Sequence, residues 1–110
     1  GTVEALFLTE SVAVAKQTQE ILAATQAGKC IVFSQIPDLV EAGALIGLEA
    51  ELEEQGKLLA VHTLQVLQGQ KVHILPVREA KKVSLKVNKE TAAQLGLTIP
   101  SAVASKAKLL

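Results

Sequence analysis

The stretch FSQIPDLVEAGALIGLEAELEEQG, Phe33 to Gly56, decides how the chain is read. It closes one apolar run on Ser34-Gln35, makes a short amphipathic turn, opens a second apolar run and leads into an acidic helix start. Pro37 suits the first turn of a short helix over Asp38–Ala42, and Gly43 is placed to end it. ALIGL, Ala44–Leu48, then predicts a buried strand, with Gly47 marking a bend or a close backbone approach. Nothing in the stretch has the residue types of a catalytic cluster. Its meaning lies in the architecture around it.

Upstream, EALFL (Glu4–Leu8) and CIVF (Cys30–Phe33) are short continuous apolar runs, the habit of strands covered on both faces of a parallel sheet. Between them Ser11 to Ala27 favours helix, with Val14, Ile21, Leu22 and Thr25 on one face. Ser11 is placed as N-cap and Gly28 as stop. The three elements make a βαβ unit with an expected right-handed crossover.

Downstream, about Glu51 to Gln68 predicts the longest helix, opening on Glu51, Glu53 and Glu54 where the helix dipole favours negative charge. Leu59, Thr63, Val66 and Leu67 form one face, and Leu58, Val61 and Leu64 extend the apolar surface around it. A helix apolar so far round needs more than one neighbour, so a partner surface is expected. After an irregular link to Pro76, VSLKV (Val83–Val87) alternates and reads as a half-solvated edge strand whose lysine discourages stray pairing. NKETAAQLGL reads as a short helix capped by Asn88 and ended by Gly96, before a turn at Pro100. The fold class expected is α/β: a three-layer, mostly parallel sheet flanked by helices, in one domain spanning residues 1–110.

Composition narrows the function. The 110 residues suit one domain, and 49 % apolar with 20 % charged residues argues for a packed fold rather than disorder. Eleven Lys and Arg balance eleven Asp and Glu, which removes the electrostatic case for nucleic acid or an anionic membrane. With only Phe7 and Phe33, base stacking and an aromatic cage find no support. The lone Cys30 reads as a small apolar side chain. No apolar run approaches the ~20 residues of a membrane span. No signal peptide is visible, and Gly1 reads as a residue left by processing.

Chemical motifs are sparse. His62 and His73 lack a second ligand at metal spacing and read as structural. No glycine-rich phosphate cradle and no Gly-x-Ser-x-Gly elbow occurs, so neither a nucleotide cofactor nor catalysis is expected. Glu49, Glu51, Glu53 and Glu54 read as a solvated helix start, and Lys81-Lys82 as surface charge. What remains is geometric: ligands of open parallel sheets gather outside the carboxyl ends of the strands. Thr9, Glu10 and Ser11 follow the first strand, Ser34 and Gln35 the second, and Glu51 the third. These six are the candidate ligand-binding residues.

Taken in order, EALFL, IVFSQIPDLVEAGALIGL, EQGKLLAVHTLQVLQGQKVHILPV and VSLKVNKETAAQLGLTIP resemble one family along nearly the whole chain. Its recurring marks are Val-x-x-Gly-Ala-Leu at Val40–Leu45, Val-Leu-Gln-Gly at Val66–Gly69, Leu-Pro-Val at Leu75–Val77, and Asn-x-x-Thr-Ala-x-x-Leu-Gly-Leu-x-Ile-Pro at Asn88–Pro100. The chain resembles the C-terminal half of ABC-transporter substrate-binding lipoproteins related to the tryptophan- and tyrosine-binding group.

The resemblance implies half of a type I periplasmic-binding-protein-like fold, a flavodoxin-like lobe, in a non-catalytic, extracytoplasmic solute-capture protein. Its partners would be a small solute such as an amino acid and an ABC permease. Members of that family are more than twice as long, so an excised, engineered or natural half is expected. The unpartnered helix would then drive a homodimer or other homo-oligomer. Glu10-Ser11-Val12 stands where aromatic-amino-acid binders carry Thr-Asp-Asn, and Gln35-Ile36-Pro37 where they show Ser-Asp-Asp. Glu51-Leu52 replaces their Asp-Tyr. The resemblance therefore carries the fold and the transport role, but not the ligand. The alternative reading is a self-associating α/β half-domain without a ligand.

Overall fold

The two apolar runs lie side by side as neighbouring parallel strands. The computed structural model, which describes residues 3–110, pairs β1 (Ala5–Leu8) with β2 (Ile31–Ser34) in parallel, from Ala5 opposite Ile31 to Leu8 opposite Ser34. That register puts Leu6, Leu8 and Val32 on one face and Phe7 with Phe33 on the other. The first face is the core: Leu8, Leu22, Val32, Leu39 and Ala44 are buried together, with Leu6, Val14, Ile21 and Ile36 packed against them. Burying a leucine such as Leu22 contributes about 2 kcal/mol. On the second face Phe7 is 54 % exposed and Phe33 is half-buried.

The segment between these strands forms two helices rather than the expected one, α1 (Val12–Lys16) and α2 (Thr18–Ala27). At the break the Gln17 N–H donates back only three residues, to the Val14 carbonyl at 3.1 Å. The Thr18 hydroxyl bonds the Val14 and Ala15 carbonyls at 3.0 and 3.2 Å, a side-chain competition with the helical ladder. The left-handed residue that ends α2 is Lys29, φ 52°, not Gly28.

The short helix after β2 is α3 (Leu39–Ala42), and Gly43 at φ 127° stops it, a backbone position that favours glycine. β3 then runs Ile46–Ala50, two residues later than read from sequence, and pairs with β2 in parallel through Phe33 opposite Ile46 and Ser34 opposite Gly47. Gly47 is buried. A side chain there would run into Cγ2 of Val40, itself 0 % exposed, so the glycine lets α3 lie directly on the strand.

β4 (Val83–Val87) neighbours β3 and runs the opposite way. The Asn88 N–H donates to the Leu45 carbonyl at 2.9 Å, and the Glu51 N–H to the Lys82 carbonyl at 3.1 Å. The sheet order is β1-β2-β3-β4-β5, with β5 (Lys108–Leu109) parallel to β4. β4 is therefore an interior strand, which corrects its reading as an edge. A two-residue strand has no alternation to betray it, so β5 went unseen in the sequence. Among the described residues the remaining helices are α4 (Leu52–Leu67), α5 (Lys89–Gln94) and α6 (Ser101–Ala104), with a single 3-10 turn at Val72–Ile74.

The chain divides into two compact units. One holds the chain up to Glu49 together with Ser84–Leu110, and contains the core just described. The other, Ala50–Val83, consists of α4, the 3-10 turn and the extended link. Within it the backbone N–H of Lys82 donates to the Glu54 carboxylate at 2.7 Å, tying the end of the link to the first turn of α4. That hydrogen bond is the main reason the Glu54 carboxyl is held below the ordinary carboxylate value. None of the α4 side chains is buried, and Leu52, Leu59, Val61, Leu64, Val66 and Leu67 are all exposed.

Asn88 ties three elements. Its Oδ1 accepts from the Thr91 N–H at 3.0 Å, capping α5, while its Nδ2 donates to the Val40 carbonyl at 2.9 Å. Asn88→Ala should lower stability by about 2 kcal/mol, since both a cap and a half-buried carbonyl lose their partner. Asn88→Asp should fall between the two, because it keeps the acceptor alone. Urea unfolding at neutral pH checks the order. An Asp midpoint equal to the parent's would remove the Val40 bond from the account, and one equal to Ala's would remove the cap.

Candidate functional site

Leu8 and Ser34 are register partners, so the loops after β1 and β2 leave the sheet side by side. Glu10 and Ser11 from the first loop, Val12 and Ala15 from α1, and Ile36 and Pro37 from the second border an open, shallow hollow of about 400 Å³. That volume falls in the range of small-molecule sites. It lies at the carboxyl ends of parallel strands, where open α/β sheets take ligands. The Ser11 hydroxyl makes no capping bond among the described residues, although its carbonyl accepts from the Ala15 N–H at 2.9 Å. Glu10 takes part in no ion pair among the described residues.

The six candidates from the sequence separate here. Glu10 and Ser11 line the hollow, and Thr9 and Gln35 are exposed in the two loops that form it. Ser34 is 3 % exposed. Its hydroxyl donates to the Leu8 carbonyl at 3.2 Å and accepts from the Ile36 N–H at 2.9 Å. Those bonds fix the loop that carries Ile36 and Pro37, which sets the hollow's shape from beneath. Glu51 belongs to the other unit, where it is exposed just before α4.

A second polar group escaped the sequence reading. Lys86 Nζ on β4 lies 2.7 Å from Oε1 of Glu41 on α3 and 2.8 Å from Oε2 of Glu49 on β3. The side chains of Lys86 and Glu49 are 13 % and 9 % exposed, whereas that of Glu41 is 40 % exposed. Glu49 is thus not part of a solvated helix start; it is a buried strand residue held by a lysine from the neighbouring strand. The second oxygen, Oε1, is buried without a hydrogen-bond partner in the structure. The hydrogen bond from Lys86 holds the Glu41 carboxyl below its ordinary value. The same bonds, to Glu41 first and then Glu49, push the Lys86 ammonium above the usual lysine range. The lysine that joins the two glutamates comes from a strand remote from both in sequence, so no local signal marks the meeting.

In the other unit, His62, Thr63, Val66 and Leu67 of α4 face Val72, Leu75, Pro76, Val77 and Arg78 across an apolar hollow of about 620 Å³. Among the described residues no group of three or more His, Cys, Asp or Glu side chains is placed to hold a metal. No helix among them is long and apolar enough to cross a membrane.

A mostly parallel sheet with flanking helices and a solute-sized hollow at its strand ends defines the class of periplasmic-binding-protein-like α/β lobes. Within that class the chain belongs to the ABC transporter substrate binding protein family, whose model matches residues 1–109. That family is non-catalytic and usually extracytoplasmic. A conserved domain protein from Vibrio cholerae is 30 % identical and superposes with a TM-score of 0.87 over 96 % of this chain and 36 % of its own. An ABC domain from Streptococcus pneumoniae, solved in complex with L-Trp, is 25 % identical, with a TM-score of 0.87 over 98 % of this chain and 37 % of its own. A ligand-free, open substrate-binding protein with adhesive properties from Clostridium difficile is 22 % identical and shares the fold at a TM-score of 0.75, over 100 % of this chain and 37 % of its own. The chain spans little more than a third of the length of each. No curated protein gives a significant match.

Proposed function

We propose that this chain is a solute-capturing portion of an ABC-transporter binding protein, working outside the cytoplasm and without catalysis. It would hold a small solute such as an amino acid and present it to a membrane permease. The reading rests on the hollow of about 400 Å³ at the ends of β1 and β2 in a chain of this family. Thr9, Glu10, Ser11 and Gln35 are the proposed solute contacts, with Ser34 holding their loops in register. The relative solved with L-Trp supports a small organic solute.

The test is thermal unfolding of the purified chain against a panel of amino acids, amines, carboxylates and sugars. A true solute at about 100 times its dissociation constant should add about 2.7 kcal/mol of stability. A flat response across the whole panel overturns the reading.

A second reading is favoured by one observation, the apolar side chains of α4 left exposed. On that reading the chain is a self-associating α/β unit that needs no solute. Light scattering along a dilution series should show mass falling with concentration. A single monomeric mass at every concentration removes this alternative.

A further inference from the structure

The hollow at the ends of β1 and β2 is chemically one-sided. Its lining offers one carboxylate, Glu10, and one hydroxyl, Ser11, and otherwise only the aliphatic surfaces of Val12, Ala15, Ile36 and Pro37. Among the described residues no Lys, Arg or His lines it, so a carboxylate or phosphate placed there would meet no counter-charge from this chain and would face Glu10 instead. No aromatic ring lines it either, so it has no stacking surface for an indole or phenol.

The two polar groups are also unspent. Glu10 makes no ion pair among the described residues, and the Ser11 hydroxyl makes no helix-capping bond. Ser34, the other hydroxyl nearby, is already committed to Leu8 and Ile36. An ammonium group brings donors only, which matches a carboxylate and a hydroxyl oxygen as acceptors. The branched and cyclic aliphatic walls match a compact hydrocarbon body.

From this we infer that the hollow takes a small aliphatic amine, its ammonium on Glu10 and Ser11 and its hydrocarbon body against Val12, Ala15, Ile36 and Pro37. The inference rests on the solute-binding reading above and names the class of solute. It departs from the L-Trp seen in the Streptococcus pneumoniae relative.

Three probes sharing one branched body separate the possibilities: 3-methylbutylamine, leucine and 3-methylbutanoate. Isothermal titration of each, with thermal unfolding alongside, should rank the amine first, leucine weaker and the carboxylate without effect. Glu10→Gln should weaken the amine by about tenfold or more, as expected for losing a charge-assisted hydrogen bond. Since Glu10 is exposed, its unfolding midpoint without solute should match the parent's, which shows that the variant folds. Leucine or 3-methylbutanoate binding as tightly as the amine overturns the amine assignment and leaves solute binding standing. So does an amine affinity indifferent to Glu10→Gln. Silence from all three probes together with the wider panel overturns both.

Discussion

Lys86→Met is expected to lose about 3 kcal/mol of stability at neutral pH, read from urea unfolding. The substitution keeps most of the methylene stem and removes the ammonium. Glu49, 9 % exposed, then keeps its charge among packed neighbours with Glu41 as the other member of a like-charged pair. Breaking a buried ion pair by removing one member costs about 3 to 5 kcal/mol; the low end applies because water reaches Glu41.

The dependence on pH follows from the directions of shift. The Glu41 carboxyl lies below its ordinary value, so its contribution is present above that value and is lost as pH falls through the lowered one. The Lys86 ammonium lies above its ordinary value, so its contribution is present below that value and is lost as pH rises through the raised one. Between those limits the parent chain holds both. In Lys86→Met the deficit should shrink from about pH 7 to pH 4, as the Glu41 carboxyl, no longer held down by the lysine, takes up its proton nearer its ordinary value. The double variant Lys86→Met/Glu49→Leu should regain most of the loss, because apolar pairs often replace buried ion pairs at no net cost. A double variant no better than the single one, with a deficit flat in pH, would place the effect in packing instead.

Gly47→Leu should destabilise by about 3 kcal/mol, the upper range for overpacking. Even one added carbon at this position runs into Cγ2 of Val40, which is wholly buried and held through its carbonyl by Asn88. α3 therefore has little room to retreat. Val40→Ala should cost about 2 kcal/mol alone yet relieve part of the Gly47→Leu loss, a negative coupling that a double-mutant cycle measures. Simple additivity of the two would mean that the strand, rather than α3, yields to the new side chain.

The sequence disclosed what local pattern controls. The apolar runs placed β1 and β2 to within a residue, and the long amphipathic segment placed α4 within one residue at either end. Gly47 was legible as a close approach because an isolated glycine in a strand pattern has few other uses. Asn88 and Gly96 marked α5 for similar reasons, and Gly96 takes φ 72°. Long-range pairing was not legible. β4 looked like an edge because alternation with a lysine is an edge's habit, and nothing local reveals that Lys86 turns inward between Glu41 and Glu49. The candidate site was legible to the extent that it depends on topology: the loops after β1 and β2 had to meet, and they bring Glu10 and Ser11 into one hollow. Ser34 lay beyond that rule, since a hydroxyl at a strand end serves a loop as readily as a solute.

The two residues of β5 have a bearing on how copies of this molecule keep apart. By lying along β4, they occupy part of a ladder that would otherwise present a five-residue border of free amides and carbonyls. The Leu110 N–H adds a last stitch to the Val87 carbonyl at 2.9 Å. Trimming Lys108–Leu110 would remove little of the packed interior, but it would unmask a template for intermolecular strand addition. The expected injury is then clumping of folded molecules, a colloidal failure arising at the rim while the interior still holds.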